Sequence, residues 1–186
     1  MSNSVWEGRL VRLRAVEAND WSDFERLALD SDASRLGYWV PLPRDAQAAL
    51  QWAEEQSRVK DGSDDFRWAI ETLEGSTFVG AINTHGCDSR NGVFEYGISI
   101  VREHWGNSYA SDAIAIMFRY YFDELRYEKA NATVYGFNEP SQRLHEKLGF
   151  TLEGTIRSNV YAAGERHDEL WYGMTANEFR ALDSSE

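Results

Sequence analysis

The sequence predicts a single α/β domain with a mixed, partly antiparallel sheet and flanking helices. Three observations point there. Runs of period two and of period 3.6 follow one another in the order β-α-α-β-β-β-α-β-α-β-β. Three strand-like runs between residues 66 and 101 succeed one another with no helix between them, as in an antiparallel sheet. The 186 residues are 42% hydrophobic and 13% aromatic, which is ample for one packed core and unlike a disordered chain.

Taken in order, residues 9–14 (RLVRLR) alternate as a strand. Asn19 or Asp20 caps a helix through Leu29, with Trp21, Phe24, Leu27 and Ala28 at helical spacing. Residues 36–43 (LGYWVPLP) hold two of the three prolines and read as a loop. Asp45 caps a second helix to about Lys60, and the turn KDGSDD follows. Strands are expected at 66–71, 77–83 and 93–101, and a long helix then runs to about Leu125. A strand at 130–135 precedes a helix at 140–148 that Gly149 closes. Strands at 151–157 and 168–174 and a short helix at 176–182 complete the chain, with no repeat, low-complexity tract or long linker.

Composition excludes several functions. The formal net charge of -12 argues against a nucleic-acid partner, which needs a basic face, and suits a cationic one, although acidity also simply aids solubility. Cys87 is the one cysteine, so neither an internal disulfide nor a cysteine-based zinc site is expected. His85, His104 and His167 are scattered without ligand spacing, so no metal site and no catalytic role is expected of them. No apolar run approaches the ~18 residues that cross a bilayer, and the first residues lack the pattern of a secretory signal. A cytoplasmic protein without a membrane partner is the expectation.

The chemistry concentrates in two stretches. In REHWGNSYASDAIAI, residues 102–116, a strand ends in a bulky Trp105, then Gly106, then small polar residues, and a helix begins at once. Helix starts carry unpaired N–H groups and the positive end of the helix dipole, so they bind anions. Gly106 lets backbone approach a ligand, Asn107 and Ser108 add polarity without bulk, and Arg102 can supply charge. An ordinary tight turn fits the same residues. The second stretch, NEPSQRLHEKLGF (138–150), lies one helix and one strand further on, as it would if both faced one ligand.

Together these motifs resemble a known family. Arg102, Trp105, Gly106, Tyr109, Ala110 and Ala113 resemble the acetyl-CoA loop of the GNAT N-acetyltransferases. Asn138, Ser141, Leu144, Glu146, Lys147, Leu148, Gly149 and Phe150 resemble that family's second motif. The tail YAAGERHDELWYGMT (161–175) is similar to the branch of ribosomal-protein N-terminal acetyltransferases (RimJ/RimL-like) and their small-amine relatives. The resemblance spans about 9–179 of a single domain, 1–186. It departs at Ser108, where the family usually has Gly or Ala; a Cβ is less at ease at positive φ.

The resemblance implies a mostly antiparallel sheet whose central strands, 93–101 and 130–135, splay apart around the pantetheine arm of acetyl-CoA. Backbone groups of Ile98, Ser99, Ile100 and Val101 would bond that arm as a missing strand would. The loop Arg102, Trp105, Gly106, Asn107, Ser108, Tyr109 and Ala110 would hold the pyrophosphate, with Asn138, Ser141 and Lys147 completing the cofactor site. Acetyl would pass directly to an amine. Glu95, in the apolar run Val93, Phe94, Tyr96, Ile98, is the expected base, its pKa raised by desolvation; an ordinary solvated or ion-paired role is the alternative. Ser141 is the first choice as proton or hydrogen-bond donor to the leaving sulfur, and His145, one turn on, the second. Tyr38, Trp39, Glu95 and Tyr161 are expected at the acceptor, with Tyr161 in the turn between the last strands. A protein or peptide N-terminus is one acceptor class; polyamines, amino acids and aminoglycosides are another. A non-catalytic acyl-CoA-binding module is the reading from outside enzymology, and a homodimer is in keeping with the family.

Overall fold

The computed structural model describes residues 4–37, 39–58 and 63–183. Seven strands, β1 (Val11–Ala15), β2 (Arg67–Thr72), β3 (Phe78–Asp88), β4 (Val93–Ile100), β5 (Lys129–Tyr135), β6 (Thr151–Ala162) and β7 (Glu165–Thr175), form one sheet in the order β1-β2-β3-β4-β5-β7-β6. Six helices accompany them: α1 (Trp21–Leu29), α2 (Ser31–Leu36), α3 (Ala46–Gln56), α4 (Tyr109–Arg119), α5 (Glu139–Lys147) and α6 (Ala176–Asp183). Every neighbouring strand pair is antiparallel except β4 and β5, which run parallel.

Period-two alternation builds the larger core. Phe94 and Tyr96 of β4 and Ala130, Ala132 and Val134 of β5 point to one face and are buried there. Against them lie Ala113, Ile114, Met117 and Phe118 of α4, whose apolar stripe is the helical counterpart of that face. Phe94 sits 4.5 Å from Tyr121 and 5.5 Å from Tyr127, ring centre to ring centre, so the base of β4 is walled by aromatics. The opposite face of β2 and β3 carries a smaller core, in which Phe24 of α1 meets Trp52 of α3 and Phe78 edge-on at 5.0 and 5.3 Å.

The parallel pair is short. Val93, Phe94 and Glu95 register with Lys129, Ala130 and Asn131, and there the pairing stops. Beyond that point β4 keeps only β3 and β5 keeps only β7, so the two central strands part as the family resemblance implies. Their lower ends are fixed by the shared aromatic core, and α4 is tied to β1 by Asp112. The Asp112 carboxylate accepts the backbone N–H groups of Arg9, Leu10 and Val11 at 3.1, 2.7 and 2.9 Å. No apolar pattern announces this anchor.

Several elements differ from the sequence expectation. A short helix, α2, forms where only the approach to a loop was read; Asp30 caps it by accepting Ala33 N–H at 3.0 Å. Strand β3 runs on through Gly86 and Cys87 to Asp88, because β4 pairs with it past those turn-prone residues. Strands β6 and β7 are longer still. Ala163 and Gly164 both take positive φ (52° and 92°), a two-residue hairpin turn that lets pairing extend to Ala162 and Glu165. Tyr161 therefore lies within β6 and not in a turn. The long helix ends at Arg119 and continues as a π turn, Tyr120–Glu124, that keeps Tyr121 and Phe122 buried. Helix α3 closes at Gln56; Lys60 lies outside the described residues.

Cys87 is half-buried beside this aromatic base. Desolvation, then hydrogen bonding to Asp65, pushes its thiol up to about 12. No helix of the described residues is long and apolar enough to cross a membrane.

A polar network locks β1 to β2 and to the start of α1. Arg14 bonds both Asp20 carboxylate oxygens at 2.8 Å and Glu71 at 2.6 Å, and Arg12 reaches Glu71 from the other side. Burial pushes the Asp20 and Glu71 carboxyls up. Hydrogen bonds outweigh it, from Arg14 to both, from the Glu17 N–H to Asp20 and from Arg12 to Glu71, and both groups titrate below their usual range. Such carboxylates add stability above the unfolded pKa of about 4, and that stability is lost as pH falls through their lower folded values. Asp20→Asn and Glu71→Gln are expected to lose on the order of 2 kcal/mol at pH 7. Denaturant titrations at stepwise lower pH should show each deficit shrinking below about pH 4.

Candidate active site

The point where β4 and β5 part organises the site. Residues paired across strands share a face, so Glu95, Asn131, Thr133 and Tyr135 lie together on the side of the sheet away from α4. Register adds His85 opposite Glu95 on β3, and Trp171 and Glu169 of β7 opposite Thr133 and Tyr135. Glu95 belongs to the last registered pair before the strands separate. Its side chain is 33% exposed, with Oε2 3.8 Å from His85 Nε2. Phe94 and Tyr96 point to the other face, so the apolar surroundings expected for Glu95 are not its own. A polar strip surrounds it instead, because alternation separates neighbours in sequence.

The open edge of β4 offers half of the expected backbone groups. Val101 N–H donates to Val79 O at 2.9 Å, so it faces β3. Successive residues alternate direction, which turns Ser99 toward β3 as well and leaves Ile98 and Ile100 facing the gap. The close approach at Gly80, where a Cβ would sit 2.2 Å from Ser99 O, agrees. The expectation for Ser99 and Val101 is therefore corrected: their backbone groups serve β3. The Ile100 carbonyl receives the Trp105 indole N–H at 2.7 Å, which folds the loop back along the gap.

The loop then delivers a helix start. Gly106 has φ 81° and no atom within 4 Å of where a Cβ would stand, which leaves an open hollow in front of the α4 N-terminus. Asn107 shapes the turn by donating to the carbonyls of His104 and Trp105 at 3.1 and 3.4 Å. Ser108 caps the helix with φ 62°, the left-handed conformation that its Cβ disfavours. Tyr109 and Ala110 open α4, whose first turn presents N–H groups without helical partners. Unpaired N–H groups beside open space are the general chemistry of an anion site. Arg102 is placed differently from the expectation. Its guanidinium forms a paired bond to Asp30, Nε–Oδ2 2.7 Å and Nη2–Oδ1 2.8 Å, and lies 5.2 Å over the Trp105 ring. Its charge is spent on the Asp30 carboxylate, which it holds well below the usual carboxylate range.

On the β5 side, Asn138 caps α5. Its Oδ1 accepts Ser141 N–H at 3.1 Å and its Nδ2 donates to Leu36 O at 2.9 Å, so its amide binds two protein groups and keeps one donor and one acceptor position. Ser141 is half-buried in the first turn of α5, its Oγ 3.4 Å from His145 Nδ1. His145 itself is in the core, 3% exposed. Its Nδ1 lies 2.7 Å from Ser141 O and its Nε2 2.9 Å from Tyr96 OH. Burial lowers its pKa, against a smaller upward effect of the Ser141 carbonyl. A neutral ring donating from Nδ1 and accepting at Nε2 satisfies both contacts. The expected role as proton donor to sulfur is thereby corrected: His145 is a buried link between α5 and β4.

Lys147 is exposed in the last turn of α5, about 14 Å along the helix from Asn138. Trp39 is 66% exposed and Tyr161 62% exposed, the latter facing Arg166 at 5.8 Å. Tyr38 lies outside the described residues. Tyr161 lines a hollow of about 400 Å³ with Tyr135, Asn159, Val160, Arg166 and Glu169, at the open end of the polar strip. The sequence reading did not single out Asp30, Asn131, Thr133, Glu169 and Trp171, and it named His85 only as a residue without a catalytic role. Period-two alternation marks which of these face together, but the register that joins four strands is not written in any one of them. Among the described residues no group of three or more His, Cys, Asp or Glu could hold a metal ion.

Comparison with known proteins identifies the family. Residues 10–151 match the family described as Acetyltransferase (GNAT) domain. The chain is 38% identical over 179 residues to the SPbeta prophage-derived uncharacterized N-acetyltransferase YokL of Bacillus subtilis (strain 168), covering 96% of this chain and 97% of that one. It is similar to the crystal structure of a GCN5-related N-acetyltransferase from Brucella melitensis, with TM-score 0.78 and 25% identity over 100% of this chain and 84% of that one. A spermidine N-acetyltransferase from Vibrio cholerae, in complex with CoA and spermine, shares the fold at TM-score 0.77 and 21% identity, over 91% and 98% of the two chains. The chain belongs to the GNAT acetyltransferase family.

Two outcomes follow from the geometry. Nitrogen NMR of the His145 imidazole at pH 7 is expected to show the neutral ring protonated at Nδ1, with the second nitrogen taking a proton only below the usual value of about 6.5. Ser108→Gly relieves a left-handed serine, so thermal unfolding is expected to shift upward by about 1 kcal/mol of stability.

Proposed function

We propose that this GNAT acetyltransferase moves acetyl from acetyl-CoA directly to a primary amine, whose ammonium docks on the polar strip beside Glu95. The observation that carries the reading is the coincidence of three features at one place. The β4–β5 pairing ends, a helix N-terminus with an open glycine hollow follows β4, and a carboxylate sits at the point of separation.

The thioester of acetyl-CoA supplies the acyl group. Ile98 and Ile100 offer backbone groups to the pantetheine arm, and residues 106–110 cradle the pyrophosphate. Glu95 holds the incoming ammonium and removes its proton, which an amine must lose before it can attack. The Ser141 hydroxyl, fixed at the start of α5, donates a hydrogen bond to the sulfur as it leaves. Asn138 offers its remaining amide positions to the same arm.

The acceptor is cationic on this reading. Glu95 and Glu169 share one face with Tyr135 and Trp171, aromatics that suit an ammonium, and the chain's net charge of -12 raises the local concentration of cations. The tail that forms β7 resembles ribosomal-protein N-terminal acetyltransferases, which favours a peptide N-terminus; the Vibrio cholerae protein holding spermine favours a polyamine. Both present the same ammonium chemistry to Glu95.

Free-thiol release from acetyl-CoA with peptides, polyamines, amino acids and aminoglycosides tests this directly. Turnover is expected with one cationic class. Glu95→Gln should lower it by about 10²-fold or more, and Ser141→Ala by about tenfold. Thermal protection by CoA with no thiol release from any amine would instead indicate an acyl-CoA-binding module, and no CoA protection would remove the cradle.

A further inference from the structure

Arg102 follows β4 and Asn138 follows β5, so they stand on the two arms of the splayed sheet. Both reach the same short helix. Arg102 grips the first end of α2 through the paired bond to Asp30, and Asp32 lies 3.9 Å away on the same side. Asn138 grips the other end, donating to the carbonyl of Leu36, the last residue of α2. Within the helix, Ser34 Oγ donates back to Ala28 O at 3.1 Å, which joins α2 to α1.

These polar ties matter because α2 has little else. It is six residues long and none of them is buried. A helix that short has no stability of its own, and since Ala33 and Leu36 are no more than half-buried, its position depends strongly on the ties at its ends. The ends are held from opposite sides of the gap. The segment that follows carries Trp39 and Leu42, exposed at 66% and 83%.

We infer that α2 is a clasp across the open end of the splayed strands, and that Asp30 is a positioning residue that seats the segment from 39 to 45 for the acceptor. The inference rests on the proposed acetyl-transfer site for its function, though not for its geometry. By tying the two arms together α2 fixes the width of the gap. By ending at Leu36 it fixes where the next segment begins. Loosening it weakens the hold on the acceptor and leaves the donor's contacts, on β4 and α4, intact.

Two variants remove one tie each while keeping the local helix caps. Asp30→Ser still accepts Ala33 N–H but cannot pair with Arg102; Asn138→Asp still caps α5 but loses the donor to Leu36. Hydrogen exchange of the 31–37 amides is expected to rise about tenfold in either, since one charge-assisted or buried tie is lost, with global unfolding little changed. In Asp30→Ser, calorimetric CoA affinity should stay within about twofold and acceptor KM should rise at least about fivefold, with KM for acetyl-CoA unmoved. Wild-type exchange at 31–37 in both variants would overturn the clasp. Raised exchange with equal losses for acceptor and CoA would overturn the positioning role of Asp30. A wild-type protein that binds no CoA would overturn the proposed function, while the exchange result would still decide the clasp.

Discussion

Everything in the site depends on the point where β4 stops pairing with β5. Parallel neighbours normally continue their ladder, because an unpaired backbone group away from water costs as much as a lost hydrogen bond. Here the ladder closes for three residues and then opens. Two constraints make this tolerable. Below the opening, Phe94, Tyr121 and Tyr127 fasten the strands through a shared aromatic base. Above it, each strand retains an antiparallel partner on its outer side, β3 for one and β7 for the other. The gap is therefore an opening between two strands that each remain paired on the outer side.

Charge is arranged around that gap in an economical way. The start of α4 offers positive backbone N–H groups, while the Arg102 guanidinium is already paired with Asp30. Acidic side chains lie on the face away from α4, at Glu95 and Glu169. Under the proposed function, this sorts a phosphate-bearing donor and an ammonium-bearing acceptor to different sides of one strand. His145 shows the same economy. It spans from α5 to Tyr96 of β4 inside the core, so the two arms are coupled below as well as above.

Much of the fold was legible in the residues. Asp45 capping α3, the small polar run before α4, and the alternation of β4 and β5 all act locally, and local signals survive in a linear string. What escaped was set by distant partners. Strand β3 runs past Gly86 because β4 pairs with it again at Asp88, and the ends of α2 meet Arg102 and Asn138, which lie far away in the chain. In the site, Gly106 and Ser108 kept the positions their chemistry suggested, whereas Arg102, Ser99 and Val101 were drawn to partners that spacing alone does not reveal. His145 had the right helical register beside Ser141. Its burial depended on Phe150 and Tyr172 arriving from elsewhere in the chain.

The lone cysteine has a bearing on how such a protein lives with its chemistry. Each turnover of the proposed reaction liberates the CoA thiol. Exchange with a disulfide requires a thiolate and an approach path. Cys87, half-buried with its thiol pushed up to about 12, supplies almost no thiolate at neutral pH. Cys87 is therefore a poor partner for thiol–disulfide exchange, and its sulfur serves as a packing group against the larger core.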